Sequence, residues 1–354
     1  MKTPIRRQTG RQTGPQTGSQ NRSPIRRQMR FWPLLLTALA VLYPLLFGTG
    51  GTTALLEQIF AFGALAMSYD LLIGYTGIVS FGHAMFFGTG AYAVAILLTR
   101  FNGSTTGLVL GLALAVVLSL VISFVIAFLS LRVRDTYFAM ITLAVGQVFV
   151  VLAGSQSLRA LTNANDGMTV ALPDWLSGDL PVYYLCLTFL VLTVWFLWRF
   201  VHSPVGDVLK AIRENEDRAA GLGHAVVRVK TLAFAVSGVI AALAGGVFAI
   251  SQSFVSTTVY DVAGVSLNVL LMVIIGGSGT LYGGLIGAAI LLSAQTWFAN
   301  LAGSSPIFRN YMIIFGVLYI LVVRFLPRGI LGTILNQRGQ SRWRKPFQFK
   351  SSRM

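Results

Sequence analysis

Three ionisable side chains stand inside apolar runs of this 354-residue chain: Glu57, Asp70 and His83. A charge in hydrocarbon is costly, so such groups are candidates for binding, proton handling or internal pairing. Asp70 can pair with His83 or snorkel to the boundary at its helix end. His83 is expected to hold a helix break by hydrogen bonding rather than to act as a base. Thr142 and Gln147 add neutral polar groups to a later apolar run. Catalytic constellations are missing. The sequence contains no G-x-x-x-x-G-K-[ST] loop for nucleotide phosphates, and no Lys even follows a Gly. It has no zinc-ligand spacing, no nucleophile elbow and no carboxylate cluster. Three histidines and the single Cys186 leave little material for such chemistry. The expectation is a chain that is not an enzyme and carries no cofactor of its own.

The densest polar segment is residues 203–228, SPVGDVLKAIRENEDRAAGLGHAVVR. Ser203-Pro204 is a helix start, and Asp207 in the first turn faces the positive end of the helix dipole. Val205, Val208, Leu209 and Ile212 recur at helical spacing, with Lys210, Arg213, Glu214 and Asp217 on the other face. Gly221 and Gly223 are expected to end the helix. Such a helix lies in a membrane interface or in a groove of a partner. The mixed charge of its polar face disfavours plain adsorption to lipid.

Two glycine-rich blocks form a third feature. GYTGIVSFGHAMFFGTGAY (Gly74–Tyr92) carries Gly74, Gly77, Ser80, Gly82, Gly88 and Gly90; IGGSGTLYGGLIGA (Ile275–Ala288) carries Gly276, Gly277, Gly279, Gly283, Gly284 and Gly287. Small residues let helix backbones approach closely. They also permit breaks, tolerated at membrane depth only where buried or lining a cavity, and in transporters such breaks offer backbone groups to substrate.

The elements that hold these residues follow from composition. The chain is 55% hydrophobic and 11% charged, with a mean hydropathy of +0.73. That is too few charges to cover a water-soluble fold of this size. A spanning helix needs about 20 apolar residues, and the sequence offers about ten such runs. They lie near Phe31–Gly48, Thr53–Ile73, Ser80–Leu98, Gly107–Leu131, Tyr137–Gly154, Leu180–Phe200, Thr231–Ser251, Val262–Ile275, Tyr282–Leu301 and Tyr311–Leu326. Period-two alternation is absent, which excludes a barrel. The predicted fold is an all-α integral membrane bundle.

The net charge of +16 would suggest nucleic acid in a soluble protein. Its distribution argues for topology instead. Residues 1–30, 131–136, 199–230 and 324–354 hold 24 of the 27 Lys and Arg; Arg100, Arg159 and Arg309 are the others. The positive-inside bias then puts both termini in the cytoplasm of an inner-membrane, multi-pass protein. Residues 1–30, with their repeated Arg-Gln-Thr-Gly unit, are expected to be a disordered basic tail that can touch anionic lipid. Residues 31–332 form the membrane domain, with a retained first helix rather than a cleaved signal. Residues 333–354 form a second basic tail.

Residues 203–228 resemble the coupling loop of ABC importer permeases, with Glu216, Ala219-Ala220 and Gly223 matching a loose E-A-A…G pattern. The Glu is displaced from the alanine pair, a departure from that pattern. The string AIRENEDRAAGLG is closer to LivM-type permeases of branched-chain amino acid importers. Both glycine blocks resemble the same family, as do YFAMITLA (Tyr137–Ala144) and FLPRGILG (Phe325–Gly332). The resemblance runs from about residue 60 to 332. Gly284 stands where the family has proline, and Asp70 where it has a neutral polar residue. TNANDG (Thr162–Gly167) resembles a T-G-G-x-x-G-L region; it either meets a binding protein, caps the pathway or is a plain turn.

The resemblance implies broken glycine-rich helices and a cytoplasmic coupling helix. Asp207, Arg213, Glu214, Asn215, Glu216, Ala219, Ala220 and Gly223 would meet an ATPase. Gly74, Gly77, Ser80, Gly82, His83, Thr142, Gln147, Gly276, Gly277 and Gly279 would line the substrate pathway. It also implies a second related permease, two ATPase subunits that bind ATP, and a periplasmic binding protein. An importer for urea or short amides is the near alternative. An ion-coupled secondary transporter and a non-transporting scaffold are the others.

Overall fold

The computed structural model describes residues 39–44, 48, 50–130 and 135–302, with isolated positions 316, 324, 329–331 and 333. The tail 1–30, most of Phe31–Gly48, Tyr311–Leu326 but for positions 316 and 324, and the tail beyond 333 lie outside the described residues.

Eight apolar runs become helical where the sequence predicts them. Helix α1 is Gly51–Ile73, α2 His83–Arg100, α3 Thr105–Ser130, α4 Asp135–Gly154 and α5 Asp179–Val201. Two surface helices follow, α6 (Pro204–Glu214) and α7 (Glu216–Gly221). Helix α8 is Val226–Gln252, α9 Asn268–Gly276 and α10 Gly283–Ala302. Among the described residues, six helices are long and apolar enough to cross a membrane, which does not confirm the expected count of about ten; two of the expected runs lie largely outside the described residues. Helix α2 is short because the chain from Gly74 to Gly82 is largely non-helical. Helix α9 is a half-length helix, preceded by a π-helical turn at Val262–Leu267.

Helices α1, α2 and α8 form the centre. Gly90 of α2 and Gly245 of α8 make the crossing possible. A Cβ at Gly90 would stand 1.8 Å from the Ala242 carbonyl oxygen, and one at Gly245 would stand 1.8 Å from that of Phe87. Gly284 fills the same role between α10 and α1, where a Cβ would stand 2.8 Å from the Ala66 carbonyl carbon. The glycine that replaces the family's proline is thus a close-approach site. Phe128 and Leu129 on α3 and Met140 and Val151 on α4 are exposed, as befits surfaces turned to lipid or to another apolar chain.

One end of the bundle carries residues 74–82, α6–α7 and residues 277–282. The opposite end carries residues 101–104, 155–178 and 253–261. There, β1 (Met168–Thr169) pairs antiparallel with β2 (Phe254–Val255), a small departure from the all-helical expectation. Asn163 turns the chain in the left-handed region, and Arg159 pairs with Asp166 at 3.2 Å. TNANDG is therefore an ordered turn.

Candidate functional site

Helix α6 starts as its sequence dictates. The Ser203 hydroxyl accepts from the Gly206 amide, Pro204 takes the first helical position, and Asp207 pairs with Lys210 at 3.0 Å. Gly206 lets this turn rest on the end of α5, where a Cβ would stand 2.2 Å from the Val201 carbonyl oxygen. Leu209 and Ile212 are buried, while Asp207, Arg213 and Glu214 belong to the outer face.

The expected single helix ending at Gly221 is corrected by the structure. The helix stops at Asn215, whose extended backbone and side chain cap α7 by accepting from the Arg218 amide at 2.8 Å. Asn competes well at such caps, and Glu216 and Asp217 complement the new helix's dipole. Gly223, at φ +90°, then turns the chain into α8. Glu216 reaches Lys230 of α8 at 2.6 Å, with the Lys side chain only 6% exposed. Ala219 is buried against Ile212 and Val226, and Ala220 faces out. Leu222, at 72% exposed, stands beside this charged face.

Asp70 neither pairs with His83 nor snorkels. It is 0% exposed, and its carboxylate accepts from the amides of Gly279 (2.7 Å) and Leu281 (3.1 Å). The Arg213 guanidinium donates to the carbonyl of Gly74, at the residue that ends α1. Such carbonyls lack helical partners and carry the negative end of the dipole. Gly74, Gly77, Gly279 and Arg213 meet here: a Cβ at Gly74 would stand 2.4 Å from the Gly279 nitrogen, and one at Gly77 would stand 3.5 Å from Arg213 Cγ. Gly277 adjoins Gly329 of the FLPRGILG string, and Gly276 packs on the carbonyl of Gly283. Segments far apart in sequence thus converge at one end of the bundle.

His83 lies at the start of α2, deep in the bundle. Its Nε2 is 2.9 Å from Ser237 Oγ, and Ser237 in turn donates to the Ser68 carbonyl at 2.6 Å. The preceding break is fastened on its other side. The Phe81 amide donates to Thr142 Oγ1 at 3.1 Å, and the Gly82 amide to Ser80 Oγ at 3.3 Å. The Ala84 amide donates to Ser266 Oγ at 2.8 Å. Thr142 lies about 10 Å along α4 from Asp135, at about 1.5 Å per residue, so the irregular chain reaches about two helical turns along α4. It meets there the π turn that descends from the opposite end, and side-chain hydroxyls satisfy the freed backbone groups, as a buried break demands.

Gln147 does not join this cluster; it is exposed on α4. Near the same helix lies a residue the sequence reading missed. Asp261 is exposed, and its carboxylate caps the π turn by accepting from Ala263 (3.1 Å) and Gly264 (2.9 Å). Its neighbour Val262 packs on Gly146 of α4. The signal available was an acid immediately before an apolar run, at the position of an N-cap. Glu57 is 5% exposed and accepts from Ser251 at 2.8 Å, away from the breaks. Among the described residues, no group of three or more His, Cys, Asp or Glu could hold a metal ion.

These features are fastened glycine breaks within a helical bundle and a surface helix pair, and comparison with known proteins gives them a family. The model of the family described as "Branched-chain amino acid transport system / permease component" matches residues 51–323. The chain is 25% identical over 335 residues to the high-affinity branched-chain amino acid transport system permease protein LivM of Salmonella typhimurium, covering 86% of this chain and 75% of that protein. It is 24% identical to a probable LivM of Methanocaldococcus jannaschii, covering 75% of this chain and 89% of the relative. It is also 24% identical to the LivH permease protein of Escherichia coli, covering 77% and 91%. No solved structure matches the chain significantly. With the family match running through the helices, both breaks and the surface pair, the chain belongs to the permease components of branched-chain amino acid transport systems.

Proposed function

We propose that the chain is the transmembrane permease subunit of an ATP-binding-cassette importer that moves branched-chain amino acids into the cytoplasm. The observation that carries the reading is the α6–α7 pair. Its outer face presents charges of both signs and exposed Leu222, while Arg213 and the Glu216–Lys230 pair reach back to join it to the bundle. A surface helix built this way suits a protein partner better than a lipid surface.

The partners of this reading are two ATPase subunits, which bind the ATP, a second related permease and a periplasmic binding protein. Likeness to both LivM and LivH supports a pairing of related permeases. Asp207, Arg213, Glu214, Asn215, Glu216, Ala219, Ala220 and Gly223 form the ATPase-facing segment, with both chain termini on the same cytoplasmic side. The pathway runs along the face of α4 that carries Gln147, past Asp261 and the break from Gly77 to Gly82. Asp261 is exposed at the end of the bundle opposite α6–α7, where a passage would open to the outer face. The passage itself needs no covalent chemistry. A binding protein delivers substrate to the outer face, and ATP-driven closure of the partners alternates access.

A mild-detergent pull-down of the tagged chain from its native membrane tests the reading. Co-purification of a second permease and an ATPase is expected. Recovery of the chain alone, with neither partner, would overturn it.

A further inference from the structure

We propose that Arg213 and Asp70 act as a pair of positioning residues that carry displacement of the α6–α7 surface pair to both glycine breaks at once. The proposal rests on the importer reading above and goes beyond it by naming the transmission.

Four residues from three chain segments make the link. Arg213 on α6 donates to the Gly74 carbonyl, where α1 ends and the first break begins. Asp70, one turn earlier on α1, holds the second break through the amides of Gly279 and Leu281. Gly279 closes the circuit: a Cβ there would stand 3.0 Å from the Arg213 guanidinium nitrogen Nη1 and 3.1 Å from the Gly74 carbonyl oxygen. Guanidinium, carbonyl, loop amide and carboxylate thus adjoin one another in series. Three of the four are charged or at a helix end, so each hydrogen bond is stronger than a neutral pair.

The geometry makes the coupling specific. Arg213 is the residue through which α6 grips the irregular backbone, and its Cγ also lies against Gly77, 3.5 Å from where a Cβ would be. Gly77 and Gly279 both sit at positive φ, +79° and +78°. The two breaks therefore bend at positions where only glycine turns freely. A shift of α6 by an ångström or so either ruptures the guanidinium contact or drags Gly74 with it. Because the Asp70 carboxylate spans two loop amides, movement of the end of α1 moves residues 279–281 as well. Packed interfaces of this kind pass on small displacements by switching between discrete arrangements.

The test uses the whole purified transporter in proteoliposomes, with its ATPase and binding protein. ATP hydrolysis and amino acid uptake are measured on the same vesicles for wild type, Asp70→Asn, Arg213→Gln and Arg213→Lys. The expected result is a fall of about tenfold in substrate moved per ATP hydrolysed for Asp70→Asn and Arg213→Gln. Hydrolysis and co-purification of the ATPase should stay near wild type for Asp70→Asn, whose side chain is buried away from the ATPase-facing segment, and Arg213→Lys should recover part of the ratio lost in Arg213→Gln. Uptake and hydrolysis falling together, leaving the ratio unchanged, would overturn the link and leave these residues as plain structure. So would an unchanged ratio with unchanged rates. If Asp70→Asn does not assemble, the partly exposed Arg213 variants decide the matter alone. A wild-type preparation that never couples ATP to uptake would sink the importer reading instead, before any variant is compared.

Discussion

The Nε2 of His83 lies 2.9 Å from the hydroxyl of Ser237, and that hydroxyl already donates its proton to the Ser68 carbonyl. The bond between them therefore runs from His83 Nε2–H to Ser237 oxygen. The imidazole also stands edge-on to Tyr69 at 4.5 Å. We infer that His83 fastens α1, α2 and α8 rather than carrying a proton. Ser237→Ala leaves a buried N–H without its partner, at a cost of about 1–3 kcal/mol. A lowered unfolding temperature in detergent, with no change in the pH profile of uptake, is expected. A shifted pH profile would contradict the assignment.

Glycines at the helix crossing and on the surface should differ sharply. Gly90→Ala and Gly245→Ala place a methyl group against backbone carbonyls of the facing helix, where neither partner can retreat. Loss of folded protein in the membrane is expected for both. Gly221→Ala meets nothing within 4 Å at the end of α7, and alanine favours the helix by about 0.5–1 kcal/mol. Fluorescence-detected size-exclusion of tagged variants separates the two outcomes.

Asp261 offers a test of the pathway face. Asp261→Asn keeps an oxygen to cap the π turn but removes the charge. If Asp261 lines the passage, uptake falls while expression and melting stay near wild type. Asp261→Ala should in addition destabilise the turn by about 1 kcal/mol. Equal uptake by wild type and Asp261→Asn would remove this residue from the pathway.

Leu222 reports on the partner. It is the most exposed of the large apolar side chains around α6–α7. A photo-reactive residue at 222 is expected to cross-link an ATPase subunit in native membranes. Exclusive labelling of lipid would return α6–α7 to the membrane interface.

The membrane helices were legible because length and apolarity decide them. Each described run forms a helix close to its expected ends, and α2 begins at His83, three residues after the expected Ser80. The break at Asn215 was legible in principle, since Asn followed by Glu216 and Asp217 is an N-cap signature; the glycines at 221 and 223 drew the boundary downstream. The bond between Asp70 and Gly279 was not legible. It joins residues 209 apart, and nothing in local periodicity says which distant amides a buried carboxylate will find. The same holds for Gln147: its place on a helix follows from spacing, but its exposure depends on which neighbours pack around α4.

Uptake of leucine, isoleucine or valine into proteoliposomes holding the purified complex tests the central claim most directly. Accumulation that needs both ATP and the binding protein, and vanishes when this chain is omitted, is the result predicted. Accumulation that proceeds without ATP, driven by an ion gradient alone, would contradict the account.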